Sequence, residues 1–354
     1  MNQTAHDAYL NTRVTLKASA LLEREEMQRL CHLNLSEIGQ QFGLGTVLEE
    51  AGSVRAKTRA VEQALIQVLL AELGVLIRPM NDQERGLVLA WARKYALFNL
   101  KTLLRGKIRQ LDQQEIRDNL YDLPPRVRLS NEDLFRTETA VELLRCLEDG
   151  PLSLLARQAR EAYERRHEAF ALEAAIDQRY YTELARRVTR LDRSDLQREM
   201  RPLVGCLVDR ADLLWLLRFR FAYQLSPSET FYQLVPSPHL MHRRRLLDIV
   251  ALDDQPKVLA ALPDALRNLL GDADNLMEIQ RRLGYHCTDM AAERLRNSKS
   301  GAVRALAYLI RREADLRGIF TLIQGRLLQL PNEYVELAMG LVPAVCEHQW
   351  KEAA

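Results

Sequence analysis

The stretch Arg210-Ala-Asp-Leu-Leu-Trp-Leu-Leu-Arg218, followed by Leu-Ser-Pro-Ser-Glu at residues 225–229 and by Val235-Pro236, contains the most informative pattern of the sequence. Its leucines recur at helical spacing, which predicts an amphipathic helix that ends near residue 225. Ser226 then stands at an N-cap position with Glu229 three residues on, the spacing of a capping box. The stretch therefore predicts a long helix, a tight corner and a short second helix that the next proline stops.

The same pattern occurs once before and once after this stretch. The earlier copy spans Tyr95–Lys107, then Leu111-Asp112 with Glu115, and stops at Leu123-Pro124; the later copy spans Glu313–Arg326, then Leu330–Glu333, and stops at Val342-Pro343. Asn99, Asp212 and Asp315 hold equivalent places, 113 and 103 residues apart. The spacing between the glutamates at 115, 229 and 333 shortens from the first interval to the second by the same number of residues. This agreement favours a true repeat over three unrelated helical corners.

The composition agrees with an all-α fold. Hydrophobic residues make up 47% of the 354 residues, whereas aromatic residues are only 6% and the common residues are strong helix formers. The repeat predicts three similar helical lobes with boundaries near Pro124 and Pro236, at residues 1–124, 125–236 and 237–354. No stretch alternates as a strand does.

The apolar spacing also predicts helices between the repeated units. We expect a helix over residues 55–77, one long helix over residues 152–191, a short helix that Gly271 closes, and a helical region over residues 290–330 that breaks at 297–301. The apolar face predicted for the first of these helices consists of Val61, Leu65, Val68, Leu69 and Leu73.

Charge and apolar content exclude several classes of protein. Fifty basic and 48 acidic residues leave a net charge of +2, so the basic excess typical of a nucleic-acid-binding protein is missing. The strongly apolar stretch at residues 65–77 is too short to span a bilayer, and it contains Gln67 and Glu72. The first ten residues do not have the pattern of a secretory signal. We expect a cytoplasmic protein without a transmembrane segment.

The sequence lacks the motifs of common catalytic and cofactor sites. The phosphate-binding motif GxxxxGK[ST], GxSxG and HExxH are all missing, and Gly43-Leu-Gly45 is an isolated pair of glycines. The five cysteines are far apart and include no CxxC pair. His239 and His242, with the pairs Cys31-His32 and His286-Cys287, lack the local spacing of a zinc site. We expect no metal, no cofactor and no catalytic residue.

Polar residues within the repeats are the candidates for a functional role. They are Asn99, Arg105, Asp212, Arg218, Asp315 and Arg326. They either contact a partner or fix each lobe through internal hydrogen bonds and ion pairs, and we favour the internal role for the residues at 99, 212 and 315. The run His242-Arg243-Arg244-Arg245 is the strongest basic cluster. It is either a solvated turn, which we favour, or a contact with anionic headgroups or a membrane partner.

Several segments together resemble one known family over nearly the whole chain. They are Tyr9-Leu-Asn-Thr-Arg-Val14, Asn99–Lys107, Asp212–Arg218 with Leu225-Ser226, and residues 302–343 with Asp315–Ile319 and Gln324–Arg326. They are similar to the component that joins the central shaft of V-type and archaeal A-type rotary ATPases to the membrane ring, called the C subunit in prokaryotic and the d subunit in eukaryotic complexes. At Asp315 the family commonly has a glutamate.

The resemblance implies a fold and a function. The fold is a funnel of three lobes with pseudo-threefold symmetry, whose central cavity receives the tip of the shaft and whose broad end sits on the proteolipid ring at the cytoplasmic face of the membrane. The function is to transmit torque for proton or sodium transport without chemistry of its own. The alternative is a stand-alone helical-repeat scaffold that binds protein partners. Repeats of 34 or 40 residues would favour that scaffold, whereas the period here is 103 to 114 residues.

Overall fold

The computed structural model describes residues 3–50, 52–129 and 132–341. Throughout these ranges the chain forms helices and connecting loops and no strand, which confirms the prediction of an all-α protein. No helix within them is long and apolar enough to cross a membrane. Cys346 and the predicted stop at Val342-Pro343 lie outside the described residues.

The helices of the first third of the chain include the first repeated corner, which lies between α6 and α7. They are α1 (Gln3–Ala18), α2 (Arg24–Leu30), α3 (Leu35–Gln41), α4 (Gly45–Glu49), α5 (Val54–Leu76), α6 (Asp82–Ile108) and α7 (Gln113–Asp118).

A short 3-10 turn, Glu132–Phe135, begins the remainder. The helices that follow are α8 (Ala140–Glu148), α9 (Ser153–Arg166), α10 (Ala169–Thr189), α11 (Ser194–Leu217) with a π-helical turn at Arg218–Ala222, α12 (Pro227–Gln233), α13 (Arg243–Val250), α14 (Gln255–Ala260), α15 (Asp264–Leu270), α16 (Leu276–Asn297), α17 (Gly301–Leu327) and α18 (Asn332–Met339).

Two details of the predicted helices are wrong. The helix expected over residues 152–191 is divided, because His167 adopts the left-handed conformation (φ 53°) and ends α9. Val68, predicted for the buried face of α5, is 39% exposed, whereas its neighbour Leu69 is 1% exposed. The break at residues 297–301 is confirmed, since α16 ends at Asn297 and α17 begins at Gly301.

The three predicted corners share a backbone feature that the sequence pattern did not show. Gln110, Gln224 and Gln329 each follow a long helix and have φ of 55°, 55° and 54°, the left-handed conformation that ends many helices. In the first and third corners the next residue closes the helix with the same bond: Leu111 N–H donates to the Gly106 carbonyl and Leu330 N–H to the Gly325 carbonyl, both at 2.9 Å. In the second corner Leu225 N–H reaches one residue further back, to Phe219 at 2.8 Å, because the π-helical turn contains an extra residue.

The short helix after each corner packs back on the long one through a β-branched residue. Ile116, Thr230 and Val335 occupy this place and are all buried. A Cβ atom on Gly106 would lie 2.5 Å from Ile116 Cδ1, and one on Gly325 would lie 2.4 Å from Val335 Cγ2. The two glycines therefore permit a helix contact closer than any other residue allows.

The caps of these short helices match the sequence in part. Ser226 and Glu229 form the predicted capping box. Asp112 is an N-cap, but it accepts from Gln114 N–H at 2.7 Å and makes no box with Glu115. The shortened third copy begins at Pro331, which offers no side-chain cap.

Buried apolar residues form two clusters. The larger extends from α1 through most of α11 and includes residues of α16, α17 and α18, whereas the smaller joins the end of α11 to α13, α14, α15 and the start of α16. The beginning and end of the described chain thus share one core. Arg304 of α17 donates to Asn11 and Thr15 of α1 at 3.0 Å each.

Candidate partner-binding cavity

A cavity of about 460 Å³ lies between α6, α10, α11, α16 and α17. Aromatic and charged side chains both line it. The aromatic ones include Trp91, Tyr95, Phe98, Tyr180, Tyr181 and Trp215, and the charged ones are Lys94, Lys101, Asp177, Arg210, Arg218, Glu313 and Arg317. A wall of this mixture supplies apolar contact area together with oriented charge, as binding sites do.

Glu313 of α17 is the centre of the polar network in the wall. Its carboxylate accepts from Lys94 Nζ at 2.6 Å and from the Tyr95 hydroxyl at 2.7 Å, both from α6, which lies 218 or more residues away in sequence. The Lys94 ammonium also lies 4.0 Å from the centre of the Trp91 ring. Two long helices that pack in the core therefore meet through a charge pair at the cavity wall.

The pKa values of Lys94 and Glu313 are both lowered, but for different reasons. Desolvation lowers the pKa of Lys94 to about 8, although Glu313 favours its charged form; Arg317 and Arg210 lower the pKa further. Burial alone would raise the pKa of Glu313, but the charges of Lys94 and Arg317 and the hydrogen bonds from Lys94 and Tyr95 outweigh it and lower the pKa to about 2. Both groups are ionised at neutral pH.

A second ion pair joins α6 to α10. Lys101 Nζ lies 2.7 and 2.9 Å from the two carboxylate oxygens of Asp177. Burial raises the pKa of Asp177 despite the neighbouring Lys101. The two carboxylates of the wall, at 177 and 313, are thus each bound to a lysine.

Arg210 and Arg218 of the wall have no such carboxylate. Neither forms an ion pair with any carboxylate in the part of the chain that the structure describes, and Arg218 donates only to the neutral Gln280, at 3.2 Å. Among the described residues, five cations and two carboxylates line the cavity, so this part of its wall is positively charged.

A smaller cavity of about 220 Å³ adjoins the same network between α5, α6 and α17. Its wall is mostly apolar, with Leu65, Leu69, Leu316 and Phe320. Tyr95 and Glu313 line both cavities.

The three equivalent polar residues of the repeat bind backbone groups inside the protein. Asn99 accepts from Tyr121 N–H and donates to the Tyr121 carbonyl, Asp212 accepts from Val235 N–H, and each bond is 2.8 Å. Asp315 accepts from Leu22 N–H at 3.0 Å. The first two bonds reach the segment after the following short helix, whereas the third reaches the connection between α1 and α2.

The predicted arginines also bind within the chain. Arg105 forms an ion pair with Glu173 of α10. Arg326 donates to the carbonyls of Leu33, at 3.2 Å, and of Cys31. Of the six candidate polar positions, Arg218 lines the cavity itself.

The basic run lies at the start of α13. Arg243 and Arg244 are exposed, and the Arg243 guanidinium lies 5.1 Å from the centre of the Phe231 ring. Arg245 is partly buried and donates to the Leu240 carbonyl at 2.6 Å. Two of the three arginines are therefore open to solvent.

Sequence reasoning missed several residues of the wall. The six candidate polar positions do not include Lys94 of α6, Asp177, Tyr180 and Tyr181 of α10, or Glu313 of α17. A usable signal was present at Lys94 and Glu313, since each is a charged residue in the middle of a long and mostly buried helix. Across the described ranges there is no cluster of three or more potential metal ligands.

The described residues thus combine an all-helical fold with one cavity whose wall is both aromatic and charged. The chain belongs to the family of ATP synthase (C/AC39) subunits, whose model matches residues 10–337. The family suggested by the sequence segments is confirmed.

Archaeal relatives cover almost the whole chain. The C subunit of the A-type ATP synthase of Methanosarcina mazei is 22% identical over 347 residues, which cover 93% of this chain and 91% of the relative. The C subunit of the Halorubrum lacusprofundi enzyme is 23% identical over 350 residues, with 94% and 97% covered. The C subunit of the Methanocaldococcus jannaschii enzyme is 22% identical over 353 residues, with 94% and 86% covered.

Proposed function

We propose that this chain is the central-stalk subunit of a prokaryotic rotary ATPase that joins the shaft to the membrane proteolipid ring and catalyses no reaction itself. The observation that carries the proposal is membership of the ATP synthase (C/AC39) family over residues 10–337, with relatives that are C subunits of A-type ATP synthases. The protein then lies on the cytoplasmic face of the membrane and takes part in proton or sodium transport.

The cavity is the proposed socket for the shaft. At about 460 Å³ it admits a few side chains of an inserted segment, and its wall comes mainly from α6, α10, α11, α16 and α17. Ion pairs between α6 and α17 and between α6 and α10 hold that wall together. Close packing resists deformation, so a segment held here passes torque to the surrounding helices.

We further propose three lobes arranged as a funnel, with sequence boundaries at 1–124, 125–236 and 237–354. The support is the recurrence of the corner at Gln110, Gln224 and Gln329 with the same left-handed φ. Asn99 and Asp212 are then lobe-fixing residues, because each ties a long helix to a later segment of its own lobe. Asp315 instead ties the third proposed lobe to the first, because it accepts from Leu22 N–H.

Binding between the head and the ring tests the proposal. Vesicles that contain the proteolipid ring are mixed with the purified head and shaft of the same ATPase, with or without this chain, and sedimented. We expect the head and shaft to sediment with the vesicles in the presence of the chain and to stay in solution without it. Equal sedimentation in both cases would contradict the proposal.

A further inference from the structure

The charges of the cavity wall are not balanced, because some of its cations have a carboxylate partner and others do not. The inference drawn from this imbalance rests on the proposed function. Lys94 and Lys101 each have a carboxylate partner, at 2.6 and 2.7 Å. Arg210 and Arg218 line the same cavity, and neither has a carboxylate partner in the described chain. Arg317 lies 3.7 Å from Glu313, which Lys94 already occupies.

Like charges that share a cavity repel one another. Desolvation lowers the pKa of Lys94 most, and the charges of Arg317 and Arg210 lower it further because they disfavour its protonated form. A wall with two guanidinium groups that have no carboxylate partner among the described residues is complementary to an anion from outside this part of the chain.

We propose that the partner segment that enters the cavity presents at least two carboxylates, which pair with the guanidinium groups of Arg210 and Arg218. Guanidinium groups suit this purpose because their fork of N–H donors matches a carboxylate in a two-bond pair. The two arginines lie about two helical turns apart on one continuous helical stretch, α11 and its π-helical extension. A short acidic segment along that stretch reaches both.

The aromatic residues of the wall favour a protein segment over a nucleic acid. Sequence-tolerant binding of single strands needs free ring faces on which bases stack. Here the Tyr181 and Trp215 rings are 5.5 Å apart in an edge-to-face arrangement, and the Lys94 ammonium lies over the Trp91 ring. These rings are engaged with one another and with the lysine, and they remain suited to aliphatic and aromatic side chains of a protein.

Binding of a fluorescein-labelled hexaglutamate peptide to the full chain tests this inference. A hexaglutamine peptide with the same label is the probe control. The test variant is Arg210→Gln/Arg218→Gln, and the matched control is Arg243→Gln/Arg244→Gln, which removes two exposed arginines elsewhere. Circular dichroism melting curves establish that each variant is folded.

We expect hexaglutamate to bind at low ionic strength and hexaglutamine not to bind. The cavity variant should weaken binding at least tenfold, whereas the control variant should change it less than twofold. Equal losses in both variants, or equal binding of the two peptides, would overturn the inference. If the cavity variant does not fold, Arg210→Lys/Arg218→Lys replaces it. Lysine keeps the positive charge but lacks the paired N–H donors of the guanidinium group, so binding of hexaglutamate should weaken several-fold. Unchanged binding would overturn the inference.

The sedimentation experiment separates this inference from the proposed function. If the wild-type chain recruits the head and shaft and Arg210→Gln/Arg218→Gln recruits them equally well, the acidic-segment inference is wrong and the coupling function stands. If the wild-type chain recruits nothing, the coupling function itself is wrong.

Discussion

The side chain of Asn99 forms two hydrogen bonds with the backbone of Tyr121: its oxygen accepts from the Tyr121 N–H and its amide donates to the Tyr121 carbonyl, both at 2.8 Å. Asp212 holds the equivalent place toward Val235, with one bond from the Val235 N–H at 2.8 Å. Its second oxygen is buried and has no partner among the described residues. Burial raises the pKa of Asp212 well above its ordinary value, because a carboxylate is poorly solvated in this place.

We predict that Asp212→Asn stabilises the protein at neutral pH. A group whose pKa is raised by folding contributes stability below its unfolded pKa, about 3.9, and loses that contribution as the pH rises toward the folded pKa. The amide of the variant stays neutral and can donate as Asn99 does. Urea unfolding should show a gain of about 1–2 kcal/mol at pH 7 that shrinks toward about pH 4. A gain of the same size at both pH values would contradict the role given to the carboxyl proton.

We predict that Glu313→Gln destabilises the protein by about 2–3 kcal/mol, because it leaves the ammonium of Lys94 without its charged partner in a mostly buried place. The pKa of Glu313 is lowered to about 2, so the wild-type pair contributes stability above about pH 4.5 and loses it as the pH falls toward 2. Urea unfolding of both proteins at pH 7 and pH 3 measures this. The difference between them should narrow at pH 3, and a constant difference would argue against an ionised pair.

We predict that Gly106→Ala and Gly325→Ala each cost about 1–3 kcal/mol, because the new methyl group would overlap Ile116 or Val335. Gly74→Ala is the matched control: it lies within α5, a Cβ added there would have no other atom within 4 Å, and it should stabilise by about 0.5–1 kcal/mol. Thermal melting of the three variants compares them. Similar melting temperatures for all three would show that the corners are not closely packed.

We predict that replacing Gln110, Gln224 or Gln329 with glycine raises the stability by about 0.5–1 kcal/mol at each site, since each has a positive φ that glycine adopts without strain. The control is Gln28→Gly, a position within α2, which should lower the stability. Chemical denaturation measures all four variants. A loss at the three corner positions would mean that the glutamine side chains stabilise the corners in another way.

Local sequence signals determined much of the fold. The capping box at Ser226 and Glu229 and the break between α16 and α17 are both present as the sequence predicts. These features depend on residues only a few positions apart, which is the range over which caps and helix breaks act. The division at His167 was missed because a histidine in the left-handed conformation has no regular sequence signature.

The cavity could not be predicted from the sequence, because its wall is built from contacts between residues far apart in the chain. Lys94 and Glu313 form one ion pair across 219 positions of the chain, and Asp315 accepts a bond from Leu22 at the opposite end. Helical periodicity shows which face of a helix is buried but not which helix covers it. The repeat therefore led to Asn99, Asp212 and Asp315, while the charged wall beside them became visible only in the folded structure.

The decisive measurement is the coupling of ATP hydrolysis to ion transport in a reassembled ATPase. Vesicles with the proteolipid ring and its membrane partner are supplied with the purified head and shaft, and ATP-driven ion uptake and ATP hydrolysis are measured together as the chain is added. We expect ion uptake that rises with the added chain to a one-to-one ratio with the shaft, and none without it. Full ion uptake in the absence of the chain, or hydrolysis that stays uncoupled in its presence, would show that this chain does not couple the shaft to the ring.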